Sequence, residues 1–350
     1  MAKGIDEERL ASWLAMRVGG QPPFTATLIA GGHSNLTYAI DDAAGVRRVL
    51  RRPPLGVAHS RAHDMAREYK IQAALARSKV PVPNMLALCE DEAVIGAPFY
   101  VMSWAEGVVI DHPSRVGAAL PDATDRGAVA DSLIDALAAL HAVDLDAIGL
   151  SNLGPRGGYV ARQLNRMQNV WQKTRTRDFP LIERLHDRLA SRIPPEARSC
   201  LLHSDFRLGN VLIDPPGRRV SAVLDWELAA LGDPRADVAF LLCSWDQSED
   251  PSPSVWMSEP PTRAGGFPSR EAVAARYAER TGLDVSDLDY FRALAYWRNA
   301  VIAEGIKRRY QSGAMGAETV DSAHIEAIER RVQGRAALAE HFLDKAGIPA

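Results

Sequence analysis

Residues 203–210, HSDFRLGN, lie between two short apolar runs, CLL (200–202) and VLI (211–213). A histidine, an aspartate, an arginine and an asparagine share one short loop between segments that read as strands. Polar loops on rigid elements concentrate function, yet a solvated turn has the same composition, so the surroundings must decide. Downstream, NVLID, PPGRR and VSAVLDW read as strand, turn and strand, the turn carrying two prolines and a glycine. Antiparallel pairing sets the start of one strand opposite the end of the next, so Asn210 and Asp225 are expected to approach, with Asp205 on the adjoining loop. Carboxylate and amide oxygens so placed suit a hard divalent cation such as Mg²⁺.

The 350 residues, 47% hydrophobic and 24% charged, suffice for two lobes of ordinary size. Lys and Arg total 41 against 44 Asp and Glu, a net charge of -3, which gives no general attraction to nucleic acid or to an acidic membrane surface. A small-molecule ligand is the expected partner. Cys89, Cys200 and Cys243 have no CxxC spacing, which argues against a disulfide framework or structural zinc and fits a reducing compartment. The opening MAKGIDEERLASWL is acidic where a secretory signal needs an apolar core, and no run reaches membrane-span length, so a cytoplasmic location is expected.

Strands come early and helices late. TATLIAGGHSNLTYAID (25–41) reads as two strands about a Gly-Gly turn, and RRVLR (47–51) as a third. A helix over 60–78 carries Met65, Tyr69, Ala73 and Leu75, and VPVPNMLALCED and APFYVMSWAEG add two strand-like pieces. The pattern predicts a small, mostly β lobe over 1–106 and a larger lobe over 107–350. The latter starts with a helix over 126–144 that aligns Val129, Leu133, Leu137 and Leu140. Asp233-Pro234 reads as a helix start, Ser286 with Asp289 as a capping box, and Gly313 as a helix stop. His59 and His63 lack further ligands and make a poor zinc site. The Pro-, Ser- and Gly-rich stretch 249–270 reads as a long loop suited to a lid.

His203-x-Asp205-x4-Asn210, a hairpin and then Asp225-Trp226-Glu227 together resemble the kinase-like phosphotransferases, the aminoglycoside phosphotransferase and choline kinase group. The order of parts is also similar to that of protein kinases. GGHSNLTY (31–38), with Gly31, Gly32, Ser34 and Asn35, stands where a phosphate-covering loop would be; Arg51 stands in place of the strand lysine and Glu68 in place of its helix partner. YVMSWAEG (100–107) resembles the hinge, implying that backbone groups of Ser103 and Ala105 meet the adenine. The resemblance spans roughly residues 25 to 310 and implies an α+β, two-lobed protein-kinase-like fold. In wording, HDMAREY, LDWELAALGDP and GFPSREAVAARY look closest to the kinase-like domains attached to some acyl-CoA dehydrogenases and their free-standing bacterial relatives, which suggests a hydroxyacyl-CoA or hydroxy acid as acceptor.

The resemblance implies ATP and Mg²⁺ as cofactors and a set of roles. Asp205 orients the acceptor hydroxyl, with Arg207 and His203 in the same catalytic set and His203 chiefly bracing the loop. Asn210 and Asp225 bind Mg²⁺, and Arg51, oriented by Glu68, holds phosphates. Glu227 is a lesser candidate for a second metal or the acceptor, and Asp237 for bracing the loop. By strand alternation Val49 and Arg51 share the nucleotide face and Arg52 points away. Tyr296, Arg298, Glu304, Lys307 and Arg308 are candidate acceptor-pocket residues, the basic run 307–309 favouring a CoA ester. Three departures matter: arginine for lysine at 51, Asp-Trp-Glu where protein kinases have Asp-Phe-Gly, and Ser204 where they have arginine. These argue against a protein kinase. An antibiotic O-phosphotransferase and a regulatory pseudokinase stand as alternatives, in a monomer or homodimer.

Overall fold

The computed structural model describes residues 3–30, 35–55, 64–250, 254–256, 259–312 and 322–350. Gly31, Gly32, Ser34, His59, His63 and Gly313 lie outside these residues. The chain divides into two compact units: Met1–Gly107 with Asp146–Leu150 and Ser221–Leu228, and the remainder.

The first unit is built on five antiparallel strands, β1 (Thr25–Ala30), β2 (Leu36–Asp41), β3 (Arg47–Arg52), β4 (Met85–Cys89) and β5 (Phe99–Ser103), in the order β1-β2-β3-β5-β4. Because side chains alternate along a strand, the sheet has two apolar faces. Tyr38, Ile40, Leu50, Phe99 and Val101 pack with Leu10 and Leu14 of α1 (Glu7–Arg17). Val49, Tyr100 and Met102 pack on the opposite face with Met65 and Tyr69 of α2 (Met65–Leu75). Arg51 therefore shares its face with Val49 and α2. Arg52 turns to the other side, buried, and donates to the carbonyls of Pro53, Ile95 and Gly4. Helix α2 starts at Asp64, whose carboxylate accepts the Arg67 N–H at 2.9 Å, and it ends three residues before the expected position. Helix α1 was not expected, although Asp6 caps it in the same way and Leu10 and Leu14 lie one turn apart.

The second unit is mainly helical: α3 (Pro113–Ala119), α4 (Ala123–His141), α5 (Tyr159–Thr174), α6 (Pro180–Ser191), α7 (Arg235–Cys243), α8 (Arg270–Thr281), α9 (Leu288–Gln311) and α10 (Ser322–Lys345). Strands β6 (Cys200–Leu202) and β9 (Ala230–Gly232) pair antiparallel; β7 (Val211–Asp214) and β8 (Arg219–Val223) form the expected hairpin, with the boundary between units falling inside β8. Val129, Leu133, Leu137 and Leu140 are buried along α4, as their spacing predicts. Helix α9 is buried on most of its surface, with Phe291, Trp297 and Val301 in the core, which explains its weak amphipathic pattern. The expected capping box at its start does not form: Ser286 instead closes a local turn on Asp284, and Asp287 precedes the helix without a side-chain cap. Helix α7 begins one residue later than expected, at Arg235, with Pro234 in the cap position and no side-chain cap there; the Asp233 carboxylate, one residue earlier, accepts the Arg235 N–H at 3.0 Å and pairs with the Arg235 guanidinium. Among the described residues no helix is long and apolar enough to cross a membrane.

Candidate active site

Strand β6 leads into the HSDFRLGN loop, which is held from beneath by Asp237 at the start of α7. Its two carboxylate oxygens accept the backbone N–H of His203 (2.7 Å) and of Ser204 (2.8 Å), and His141 Nε2 lies 3.3 Å away. Burial alone would raise the Asp237 carboxyl, but its contacts with His141 and His203 hold it below the ordinary carboxylate value. His203 is fully buried against Phe206, and its Nδ1 accepts the Asp205 N–H at 3.3 Å. The chain then makes a 3₁₀ turn over Leu208–Asn210, from which Asn210 Nδ2 donates to the Asp205 carbonyl (2.8 Å) and carboxylate (2.7 Å). Arg207 Nε lies 3.4 Å from the other Asp205 oxygen. Asp205 is thus gripped at backbone and side chain while remaining partly exposed, and the donor side of the Asn210 amide is committed. His141 was missed from sequence, although it continues the apolar stripe of α4 one turn after Leu137.

The first unit carries a second constellation. Arg51 is 3.2 Å from Glu68 through Nε, while its Nη2 pairs with Asp225 and lies 3.5 Å from Glu227. Glu68, 2% exposed, also accepts from the Tyr100 hydroxyl (2.9 Å) and the Asn35 amide (2.8 Å), and Asn35 reaches Glu227 at 3.2 Å. Glu68 is therefore a buried partner of Arg51, not a helix-surface residue. Burial pushes the Glu68 carboxyl up, opposed by Arg51, Tyr100 and Asn35. Burial would lower the Arg51 guanidinium, but Glu68, Tyr100, Asp225 and Glu227 raise it overall, so it stays charged. Asp225 adopts a left-handed φ of 65°, and buried Trp226 donates its indole N–H to the Val223 carbonyl at 3.0 Å. Ser103 donates its N–H to the Asn84 carbonyl (2.8 Å), and Ala105 lies in the irregular chain after β5.

Asp205, Asn210, His203 and Arg207 belong to the second unit and Arg51, Glu68, Asn35 and Asp225 to the first; each set is coherent within its own unit. The donor chemistry fits Mg²⁺, since carboxylate and amide oxygens predominate. Among the described residues no cluster of three or more His, Cys, Asp or Glu could by itself hold a metal ion.

Several acceptor candidates have other roles. Lys307 is buried between Glu304 and Glu329, so the run 307–309 is not a free basic cluster; the sequence could not show that its first member is spent on ion pairs. Glu304 is fully buried and receives the Thr176 hydroxyl (2.5 Å) and N–H (3.2 Å), and Arg308 binds the Lys173 carbonyl. Tyr296 is buried between Trp256 and Phe342. The described part of 249–270 is pinned, with Arg263 on Asp246 (3.0 Å), Arg270 on Asp250 (3.0 Å) and Trp245 on the Pro268 carbonyl (2.9 Å). Arg298 alone of the group reaches the loop, donating to the Ser204 carbonyl at 3.1 Å.

The phosphotransferase enzyme family model matches residues 25–287. The chain belongs to that family. It is 34% identical over 318 residues to mouse acyl-CoA dehydrogenase family member 10, a match covering 90% of this chain but 29% of that protein. The chain thus spans less than a third of that relative. A solved Ralstonia eutropha structure, provisionally described as an aminoglycoside phosphotransferase, superposes with a TM-score of 0.80 at 32% identity, covering 97% of this chain and 98% of the other. A thermostable variant of aminoglycoside phosphotransferase APH(4)-Ia, in ternary complex with AMP-PNP and hygromycin B, shares the fold at 16% identity and a TM-score of 0.58, covering 96% and 98%. The fold is therefore α+β and protein-kinase-like, with a small β-rich part and a larger helical part, and family membership supports a phosphotransferase enzyme.

Proposed function

We propose that the chain transfers the γ-phosphate of ATP to the hydroxyl of a small molecule, a hydroxyacyl-CoA or hydroxy acid, in a Mg²⁺-dependent reaction in the cytoplasm. The observation that carries this reading is Asp205, held through its N–H by His203 and through its carbonyl and carboxylate by Asn210. Binding a nucleotide does not require a partly exposed carboxylate aimed by its neighbours; orienting a nucleophile does. Asp205 accepts a hydrogen bond from the acceptor hydroxyl and takes its proton as the oxygen–phosphorus bond forms and the bond from the γ-phosphorus to the bridging oxygen of ADP breaks, ADP leaving. Asn210 and Asp225 are the residues that would hold Mg²⁺, which would supply neutralisation of phosphate charge. Arg51, kept charged by Glu68, contacts phosphate oxygens through its planar fork. Residues 1–106 then serve the nucleotide and 107–350 the acceptor. The acyl-CoA dehydrogenase relative supports a CoA ester, and the AMP-PNP complex of the structural relative supports nucleotide use.

The pairing of Arg51 with Asp225 favours one second reading, a nucleotide-binding regulator whose metal aspartate is occupied by an arginine. An ADP-release assay with ATP and Mg²⁺ against hydroxyacyl-CoA esters, free hydroxy acids, aminoglycosides and choline separates the two. Turnover that falls by about 10²- to 10⁴-fold in Asp205→Ala, and is also lost in Asp225→Ala, is the expected result. Tight ATP binding with no turnover across the panel would favour the regulator, and turnover on aminoglycosides alone the antibiotic-modifying alternative.

A further inference from the structure

Ser204 is a non-glycine residue at φ 68°, buried, and it immediately precedes Asp205. Such a conformation persists only where its surroundings hold it on both sides. Asp237 supplies one side by accepting the Ser204 N–H. The other side comes from α9, where Arg298 Nη2 donates to the Ser204 carbonyl at 3.1 Å. Arg298 Nη1 lies 3.4 Å from the Tyr159 hydroxyl at the start of α5, its guanidinium stands 5.9 Å over the Phe240 ring, and its Nε is buried without a hydrogen-bond partner among the described residues. Tyr159, Ser204, Asp237, Phe240 and Arg298 line one cavity.

We infer that Arg298, steadied by Tyr159, is a positioning residue that sets the backbone at Ser204 and thereby the aim of Asp205; the catalytic consequence rests on the phosphotransferase reading of that aspartate. Two of the Arg298 nitrogens, Nη2 and Nη1, are turned to the loop carbonyl and to Tyr159. A charged donor is the stronger partner for that carbonyl, and the peptide it holds leads directly into Asp205. The loop is thus clamped between α7 and α9, one carrying the acceptor for its N–H groups and the other the donor for its carbonyl.

The test uses the full chain with Arg298→Met, Arg298→Lys and Tyr159→Phe. In Arg298→Met, kcat is expected to fall by about 100-fold, the cost of a misaimed group, with KM for ATP and acceptor within about twofold. Amide exchange in the 203–206 segment should quicken while α4 keeps its protection. Arg298→Lys, which retains one charged donor, should recover part of kcat, and Tyr159→Phe should act in the same direction but less. Unchanged loop exchange would overturn the clamp. So would a rise in acceptor KM at constant kcat, which would place Arg298 on the substrate, or a Lys variant no better than Met with losses that follow melting temperature. A wild-type chain that turns over nothing would instead refute the phosphotransferase reading, and exchange would still decide the clamp.

Discussion

Replacing Asp237 with asparagine should be nearly as damaging as replacing it with alanine, although asparagine has the same shape. Asp237 is 1% exposed, and its two oxygens receive two different backbone donors, His203 N–H and Ser204 N–H, with His141 beside the first. An asparagine has one acceptor oxygen, so its NH₂ group must face one of those N–H groups. Each lost hydrogen bond to a buried charge is worth about 1.5–3 kcal/mol, and breaking a buried network of this kind costs about 3–5 kcal/mol in all. For a unit of this size that is a drop in melting temperature of about 10 °C. The pH dependence follows from the depressed Asp237 carboxyl. Its stabilisation is fully present above the unfolded aspartate value of about 3.9 and is lost as pH falls through the lower folded value. The wild-type and Asp237→Asn proteins should therefore differ most near neutrality and converge in acid. Urea unfolding followed by tryptophan emission between pH 7 and pH 3 measures this. A gap below about 1 kcal/mol at pH 7, or one constant across the range, would refute the two-donor account.

Arg51→Met should leave Glu68 buried without its cation, raising KM for ATP and lowering stability by about 3 kcal/mol; Arg51→Lys, a point charge unable to span Glu68 and Asp225 together, should recover stability better than nucleotide affinity, as calorimetric titration and thermal melts would show. Lys307→Met should cost about 3 kcal/mol, because Glu304 is then buried with a weakened cation shell, and acceptor KM should stay unchanged. A change in KM for CoA esters without loss of stability would restore residues 307–309 as an acceptor surface.

The β-rich first unit was legible because strand alternation and proline stops are local signals: β1 to β5 lie where the pattern puts them. What was not legible is what depends on distant packing. Helix α1 has only two fully buried leucines and a modest stripe, so its existence shows mainly through the sheet face it covers. Ser286 and Asp289 have capping-box spacing, but Asp284 takes both the Ser286 N–H and hydroxyl and so removes the cap. Lys307 reads as part of a basic run, because nothing local reveals that Glu304 and Glu329 enclose it.

The candidate site divides along the same line. Asp205 and Asn210 are five residues apart, and a short loop turning back on itself brings an amide to a carboxylate with little help from the rest of the chain. Arg51 and Glu68 were read from order in a family pattern, and their burial together gives that order a physical basis: neither charge is tolerable in a sheet–helix interior without the other. Arg298 lies 94 residues from Ser204, and from sequence it was one of five polar side chains on a long helix. Glu304 and Lys307 on that helix pair with each other and with nearby groups, whereas Arg298 reaches the Ser204 carbonyl. The guanidinium that holds the loop backbone at Ser204 thus comes from α9, a support that no local motif records.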